Sequence, residues 1–140
     1  NIITDAVFNQ YKELCDKDNI EFEISGKLPE NFNMAETDLC VLFSNLMSNA
    51  YEAAAQCEKD SSIIRTQIRN NDDDVFIKMS NSVKGEVVFK NGLPVTDKPD
   101  RKNHGFGVEN ILEVVERNGG HVEWKQSDKG RFTADIMLNA

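Results

Sequence analysis

Ile3, Val7, Phe8, Tyr11, Leu14 and Cys15 recur at helical spacing, which predicts a helix over residues 2–17 closed by the polar run DKDN. Ile20, Phe22 and Ile24 then alternate with Glu21, Glu23 and Ser25, the period of a half-buried strand. A second helix follows on Leu39, Leu42, Phe43, Leu46, Met47, Ala50, Ala53 and Ala54. It runs from Thr37 or Asp38, either of which can cap it, to Gln56. Ile64, Thr66 and Ile68 alternate as one strand and Val75, Ile77 and Met79 as another. The polar NNDDD between them predicts an antiparallel hairpin. A third helix carries Val108, Ile111, Leu112, Val114 and Val115 and stops at Asn118-Gly119-Gly120. Residues 121–126 and 132–138 close the chain as a hairpin over SDKG.

Residues 81–104 break this rhythm. They hold Gly85, Gly92, Pro94, Pro99 and many charges, and only EVVF at 86–89 resembles an element. So long a patternless stretch inside a compact domain marks a functional loop or lid. The strands come mostly as hairpins, not in βαβ alternation. That order predicts an α+β fold, with helices packed on one face of a mixed, mostly antiparallel sheet.

Composition narrows the function. The chain has 140 residues, enough for one domain with its own core. Its net charge of −8 argues against a generic nucleic-acid or anionic-membrane binder, but leaves room for a nucleotide in a local site. Cys15, Cys40 and Cys57 fit no zinc spacing, and Cys15 and Cys40 fall on apolar faces; all three read as reduced thiols of a cytosolic protein. No apolar run reaches the roughly 20 residues of a membrane span, and no signal peptide opens the chain. The first residue is Asn, which reads as a piece of a longer protein.

Three groups of residues carry candidate chemistry. In SNLMSNAYEAA, Asn45 and Asn49 are four apart and share a helix face, with Glu52 three further on. Either these are solvated side chains, or they form a polar row facing a cleft, where an amide oxygen suits a Mg²⁺ ion that keeps its waters and binds phosphates. In KPDRKNHGFGVENI, Gly105-Phe106-Gly107 precedes the third helix at Val108. It is either a hinge or a close backbone approach that seats a phosphate on the helix N-terminus, with Arg101, Lys102 and His104 nearby. Asn81 stands at a strand end, either as a turn residue or as an amide able to read an adenine edge.

Taken in order, a helix with N-x-x-x-N-A, a polar strand end, a long loop and G-x-G at a helix start resemble the GHKL nucleotide-binding family. Its Bergerat fold is shared by sensor histidine kinases, gyrase B subunits and MutL. SNLMSNAYEA resembles the N-box and HGFGVENI the second glycine box. The D-L-C opening of the N-box helix, the NAYEA ending and Asn81 in place of aspartate look closest to peptide-sensing quorum kinases.

The resemblance implies a two-layer α/β sandwich and ATP with Mg²⁺ as ligands. It makes Asn49 the metal ligand and Asn45 a residue that places the metal or phosphate shell. It makes Asn81 the adenine reader and sets Gly105 and Gly107 under the phosphates. Residues 90–104 match the ATP lid, with Lys102 or Arg101 as γ-phosphate contacts. Glu52, Ala53, Gly85, His104, Phe106 and Val108 line the same site. Three positions depart from the pattern. The D-x-G-x-G box keeps only Gly85, Ala53 replaces an aromatic that packs on adenine, and Glu52 replaces a frequent lysine. The phosphoacceptor histidine of such kinases sits on a separate dimerisation domain, and no matching segment is present here. The resemblance therefore implies one catalytic domain, monomeric alone, of a homodimeric membrane-bound kinase with this domain in the cytoplasm. It would pass the γ-phosphoryl of ATP to that histidine and so to a response regulator; the alternative is a GHKL module of another role, an anti-sigma serine kinase or a degenerate nucleotide-binding interaction domain.

Overall fold

The computed structural model describes residues 1–58, 60–95, 107–127 and 130–139. Helix α1 spans Ile2–Lys17, and the Asn1 side-chain oxygen caps it by accepting from the Ile3 and Thr4 amides. Strand β1 is Glu21–Ser25, and helix α2 is Glu36–Ala55. Strands β2 (Ile63–Asn70) and β3 (Asp74–Ser82) follow, then two short strands, β4 (Val88–Lys90) and β5 (Leu93–Val95). Helix α3 (Gly107–Arg117) precedes β6 (His121–Ser127) and β7 (Arg131–Asn139).

The main sheet has the order β1-β2-β3-β7-β6. Its two predicted hairpins, β2–β3 and β6–β7, are antiparallel, as is the long-range pair β3–β7. Strand β1 pairs parallel with β2, because α2 crosses between them. This βαβ unit is the one parallel connection that the hairpin pattern concealed. Ile64, Ile68, Val75, Ile77, Met79, Trp124, Ile136 and Leu138 are buried on one face of the sheet against the helices. Arg65, Arg69, Phe76 and Lys78 alternate with them and lie exposed on the other. The layers are those of a two-layer sandwich.

The apolar stripe of α2 explains its central place. Leu39, Leu42, Phe43, Leu46, Met47, Ala50 and Ala54 are all buried at 3.6-residue spacing. On one flank α1 packs against it, with Phe8 and Phe43 edge to face at 5.3 Å. The Tyr51 hydroxyl donates to the Asp18 carboxylate, which pushes the tyrosine pKa up to about 12. On the other flank lies α3, with Ile111, Val114 and Val115 buried.

Three local expectations need correction. Neither Thr37 nor Asp38 caps α2, which starts one residue earlier behind Ala35 with no side-chain cap. Cys40 is exposed, one step round the helix from the buried Leu39, whereas Cys15 is buried and its thiol pKa is raised to about 11 by desolvation. The stretch read as loop also holds the β4–β5 hairpin, turned at Asn91-Gly92, both in positive φ. Asn-Gly is the residue pair such a two-residue turn requires.

Asp38 has a different task from capping. Its carboxylate accepts from the Arg117 guanidinium at 2.6 Å and from the Asn118 amide at 3.1 Å, joining the first turn of α2 to the last turn of α3. Those two bonds hold its pKa below the usual carboxylate range. The contribution to stability is therefore present above the unfolded-state pKa and is lost as pH falls through the lower folded-state value. Asp38→Ala is expected to melt below wild type at pH 7, with the gap closing as the pH is lowered through the carboxylate range. Thermal melts at several pH values check this, and a pH-independent gap would show that the ion pair is not its source.

Candidate functional site

The side-chain row on α2 and the start of α3 meet. Asn45 and Asn49 are half-buried on the α2 face that α3 covers. A Cβ added to Gly107 would lie 3.1 Å from the Asn49 Oδ1, 3.3 Å from its Nδ2 and 3.4 Å from the Asn45 Oδ1. Any larger residue at Gly107 would press on both amides. The absence of a side chain lets the first turn of α3, whose leading backbone N–H groups have no partner within the helix, sit directly beside two amide oxygens.

The two asparagines are engaged differently. The Asn45 Nδ2 donates to the Val41 carbonyl one turn earlier, at 2.6 Å, which orients its Oδ1. The Asn49 amide makes no hydrogen bond among the described residues. Glu52, Ala53 and Val108 are half-buried nearby in sequence on the same two helices.

The sheet contributes a second side. Asn81 is buried as the penultimate residue of β3, so it lies within the strand and not beyond its end. Its Nδ2 donates to the Ser82 carbonyl, and its oxygen accepts no hydrogen bond among the described residues. Opposite it in the ladder stands Phe132, whose ring lies 6.2 Å from that of Phe89 on the β4–β5 hairpin. Gly85 is exposed in the turn between β3 and β4. Arg101, Lys102, His104, Gly105 and Phe106 lie outside the described residues.

A family model described as a GHKL domain matches residues 34–139. The chain belongs to the GHKL family. The sensor histidine kinase DpiB of Escherichia coli (strain K12) is 26% identical over 99 residues, covering 66% of this chain and 18% of DpiB. The chain thus spans a minor part of that relative's length. Among solved structures, the nucleotide-free catalytic domain of histidine kinase ThkA superposes with a TM-score of 0.77 at 18% identity, covering 99% of this chain and 91% of that one. The mycobacterial sensor histidine kinase MprB gives 0.67 at 15% identity, covering 96% and 93%. Full-length ShkA in complex with AMPPNP gives 0.71 at 14% identity, covering all of this chain and 30% of that one. At these identities the likeness establishes the fold, which is that of histidine-kinase catalytic domains.

In this GHKL domain the donor set suits one kind of metal. Among the described residues, no group of three or more His, Cys, Asp or Glu is placed to hold an ion. The oxygens nearest Gly107 are the neutral amides of Asn45 and Asn49, with the Glu52 carboxylate three residues further along α2. They fit a hard cation that keeps several waters and takes further oxygens from phosphates, as Mg²⁺ does, and not a thiolate- or imidazole-bound metal.

Two residue groups escaped the sequence reading. The Asp38–Arg117–Asn118 clasp was hidden because helix-end residues read as caps and stops. Gln126 read only as the end of a strand, although its amide reaches the turn after β3.

An amide kept for ligand contact gives the fold nothing. Asn is a poorer helix former than Ala by roughly 0.5 kcal/mol, and Asn49 has no hydrogen bond to lose among the described residues. Asn49→Ala is therefore expected to match or exceed wild type in denaturant midpoint. A loss of more than about 1 kcal/mol, the net worth of a satisfied hydrogen bond, would show that the amide is structural.

Proposed function

We propose that this GHKL domain binds ATP with Mg²⁺ between α2 and the start of α3, as the catalytic domain of a longer sensor histidine kinase. The convergence of the Asn45 and Asn49 oxygens on the side-chain-free start of α3 at Gly107 carries the reading. A polyphosphate–metal ligand requires that pairing. Backbone N–H groups and the helix dipole favour the phosphate oxygens, and neutral oxygens opposite them accept the cation without repelling the phosphates.

The roles divide along the structure. Asn49, with no hydrogen bond among the described residues, is the metal ligand. Asn45, fixed by the Val41 carbonyl, orients the shell around it. Asn81, buried with an accepting oxygen to spare, takes the amino edge of adenine, and Gly85 lets the turn after β3 pass close to the base. Glu52, Ala53 and Val108 line the space between, and Ala53 adds little contact area to the base. Residues 90–104 form the lid, its first part the β4–β5 hairpin. Arg101, Lys102 and His104 supply charge for the terminal phosphate, while Gly105 and Phe106 lead into α3. The bound metal would neutralise the phosphate charge that builds as the γ-phosphoryl leaves.

The part we assign to the domain is positioning and not attack. It holds ATP for a histidine on the dimerisation domain of the parent chain, with a response regulator downstream. The parent is a homodimer and this piece a monomer, on the cytoplasmic side. No helix among the described residues is long and apolar enough to cross a membrane.

Mg²⁺ with ATP should raise the melting temperature by linkage, by the equivalent of about 2.7 kcal/mol at a hundredfold excess over Kd. The shift should vanish in Asn49→Ala, whose fold is intact by the test above. Differential scanning calorimetry with and without Mg²⁺ measures it. No shift in wild type at millimolar Mg²⁺ and ATP would overturn the reading.

A further inference from the structure

Gln126, Phe132 and Asn81 form one row across the sheet. Gln126 is the ladder partner of Phe132 on β6–β7, and Phe132 is the ladder partner of Asn81 on β7–β3. Direct partners share a face, so the three side chains stand side by side on the face that the helices cover. Asn81 is buried there, and Phe132 packs against the core.

At the end of this row the half-buried Gln126 turns its amide to the chain that leaves β3. Its Nε2 donates to the Gly85 carbonyl at 2.7 Å, and its Oε1 accepts from the Val87 amide at 2.7 Å. One side chain thus meets a main-chain acceptor and donor two residues apart, as a neighbouring strand would. Two further contacts hold the same segment. The Val83 amide donates to the Gly130 carbonyl at 2.9 Å, and Phe89 lies against Phe132. Residues 83–89 therefore cross from β3 over β7 to β6, tied at three points. Gln126 supplies the only side-chain hydrogen bonds among these described contacts.

We propose that Gln126 is a positioning residue for nucleotide binding, which fixes the 85–89 segment so that Phe89, Phe132 and Asn81 stand ready as one wall for the base. The proposal rests on the nucleotide reading of the site. Gly85 and Glu86 are exposed, and little else packs over them. Without Gln126 the segment would have to be ordered when ligand binds, and that ordering would be taken from affinity. Gln126 touches neither phosphates nor metal on this account, so its effect is confined to the base end of the ligand.

Three variants and two ligands test this. Gln126→Ala removes both bonds. Gln126→Met keeps the bulk without them. Gln126→Glu keeps an acceptor for the Val87 amide and removes the donor to Gly85. Binding of Mg²⁺ with ATP, and of Mg²⁺ with inorganic tripolyphosphate, is measured by calorimetry, beside hydrogen exchange at the Val87 amide. In Gln126→Ala and Gln126→Met, exchange at Val87 should quicken by at least about tenfold and ATP affinity should fall by about tenfold, the scale of two modest hydrogen bonds. Tripolyphosphate affinity should stay put even where the lost bonds lower the melting temperature, with Gln126→Glu intermediate for ATP and near wild type in exchange. Equal losses for ATP and tripolyphosphate would mean general damage and overturn the positioning role, as would unchanged ATP affinity with accelerated exchange. Failure of wild type to bind either ligand would overturn the nucleotide reading itself, and the role of Gln126 with it.

Discussion

Everything proposed for this domain depends on how α3 lies along α2. The helices run antiparallel and are fixed at both ends. At one end a Cβ at Gly107 would press on Asn45 and Asn49. At the other Arg117 and Asn118 hold Asp38. At the helical rise, Asp38 to Asn49 is about 16 Å of α2 and Gly107 to Arg117 about 15 Å of α3. The two contacts thus agree on a single register. Ile111, Val114 and Val115 fill the seam between them. A shift of one helical turn would move the bare start of α3 off the amides and strand the Asp38 carboxylate away from its partners.

This arrangement costs α2 intrinsic stability. A helix as apolar as α2 would gain from alanine at positions 45 and 49, and from a capping residue at 35. It has instead an uncapped start, an acidic residue committed to another helix, and two amides in a half-buried row. The compensation comes from the flanks, where Phe8 meets Phe43 and Tyr51 meets Asp18. Beneath it the sheet sets Asn81, Phe132 and Gln126 in one ladder row, the second wall of the proposed site. Helix and sheet sides of the site are thus built by different rules: register between helices on one side, strand pairing on the other.

Much of the fold was legible because its elements carry strong periodicity. The stripe of α2 and the alternation of β2 and β3 gave both the elements and the face each one buries, and the SDKG turn marked β6 and β7 as a hairpin. The parallel pairing of β1 with β2 was not legible, since alternation in a strand says nothing of its neighbour's direction. The β4–β5 hairpin was missed although Asn91-Gly92 signals it, because its flanking strands are too short and exposed to show a period. In the site, Asn45, Asn49 and Gly107 were joined in the sequence only by the family resemblance, and the α2–α3 packing supplies the physical reason that they meet. Asp38 and Gln126 were beyond reach, since each acts through a partner far along the chain and neither residue type marks such a role.

The central claim is that Asn45, Asn49, Gly107 and Asn81 belong to one nucleotide site. It is tested most directly by titrating isotopically labelled protein with a non-hydrolysable ATP analogue and Mg²⁺, following the side-chain amide signals of the three asparagines and the Gly107 backbone amide by NMR. The account predicts that all four shift together with one binding constant, that the Asn49 response requires Mg²⁺, and that Arg69, Phe76 and Lys78 on the open sheet face stay still. Perturbations confined to that open face, or an Asn49 signal indifferent to nucleotide and metal, would contradict it.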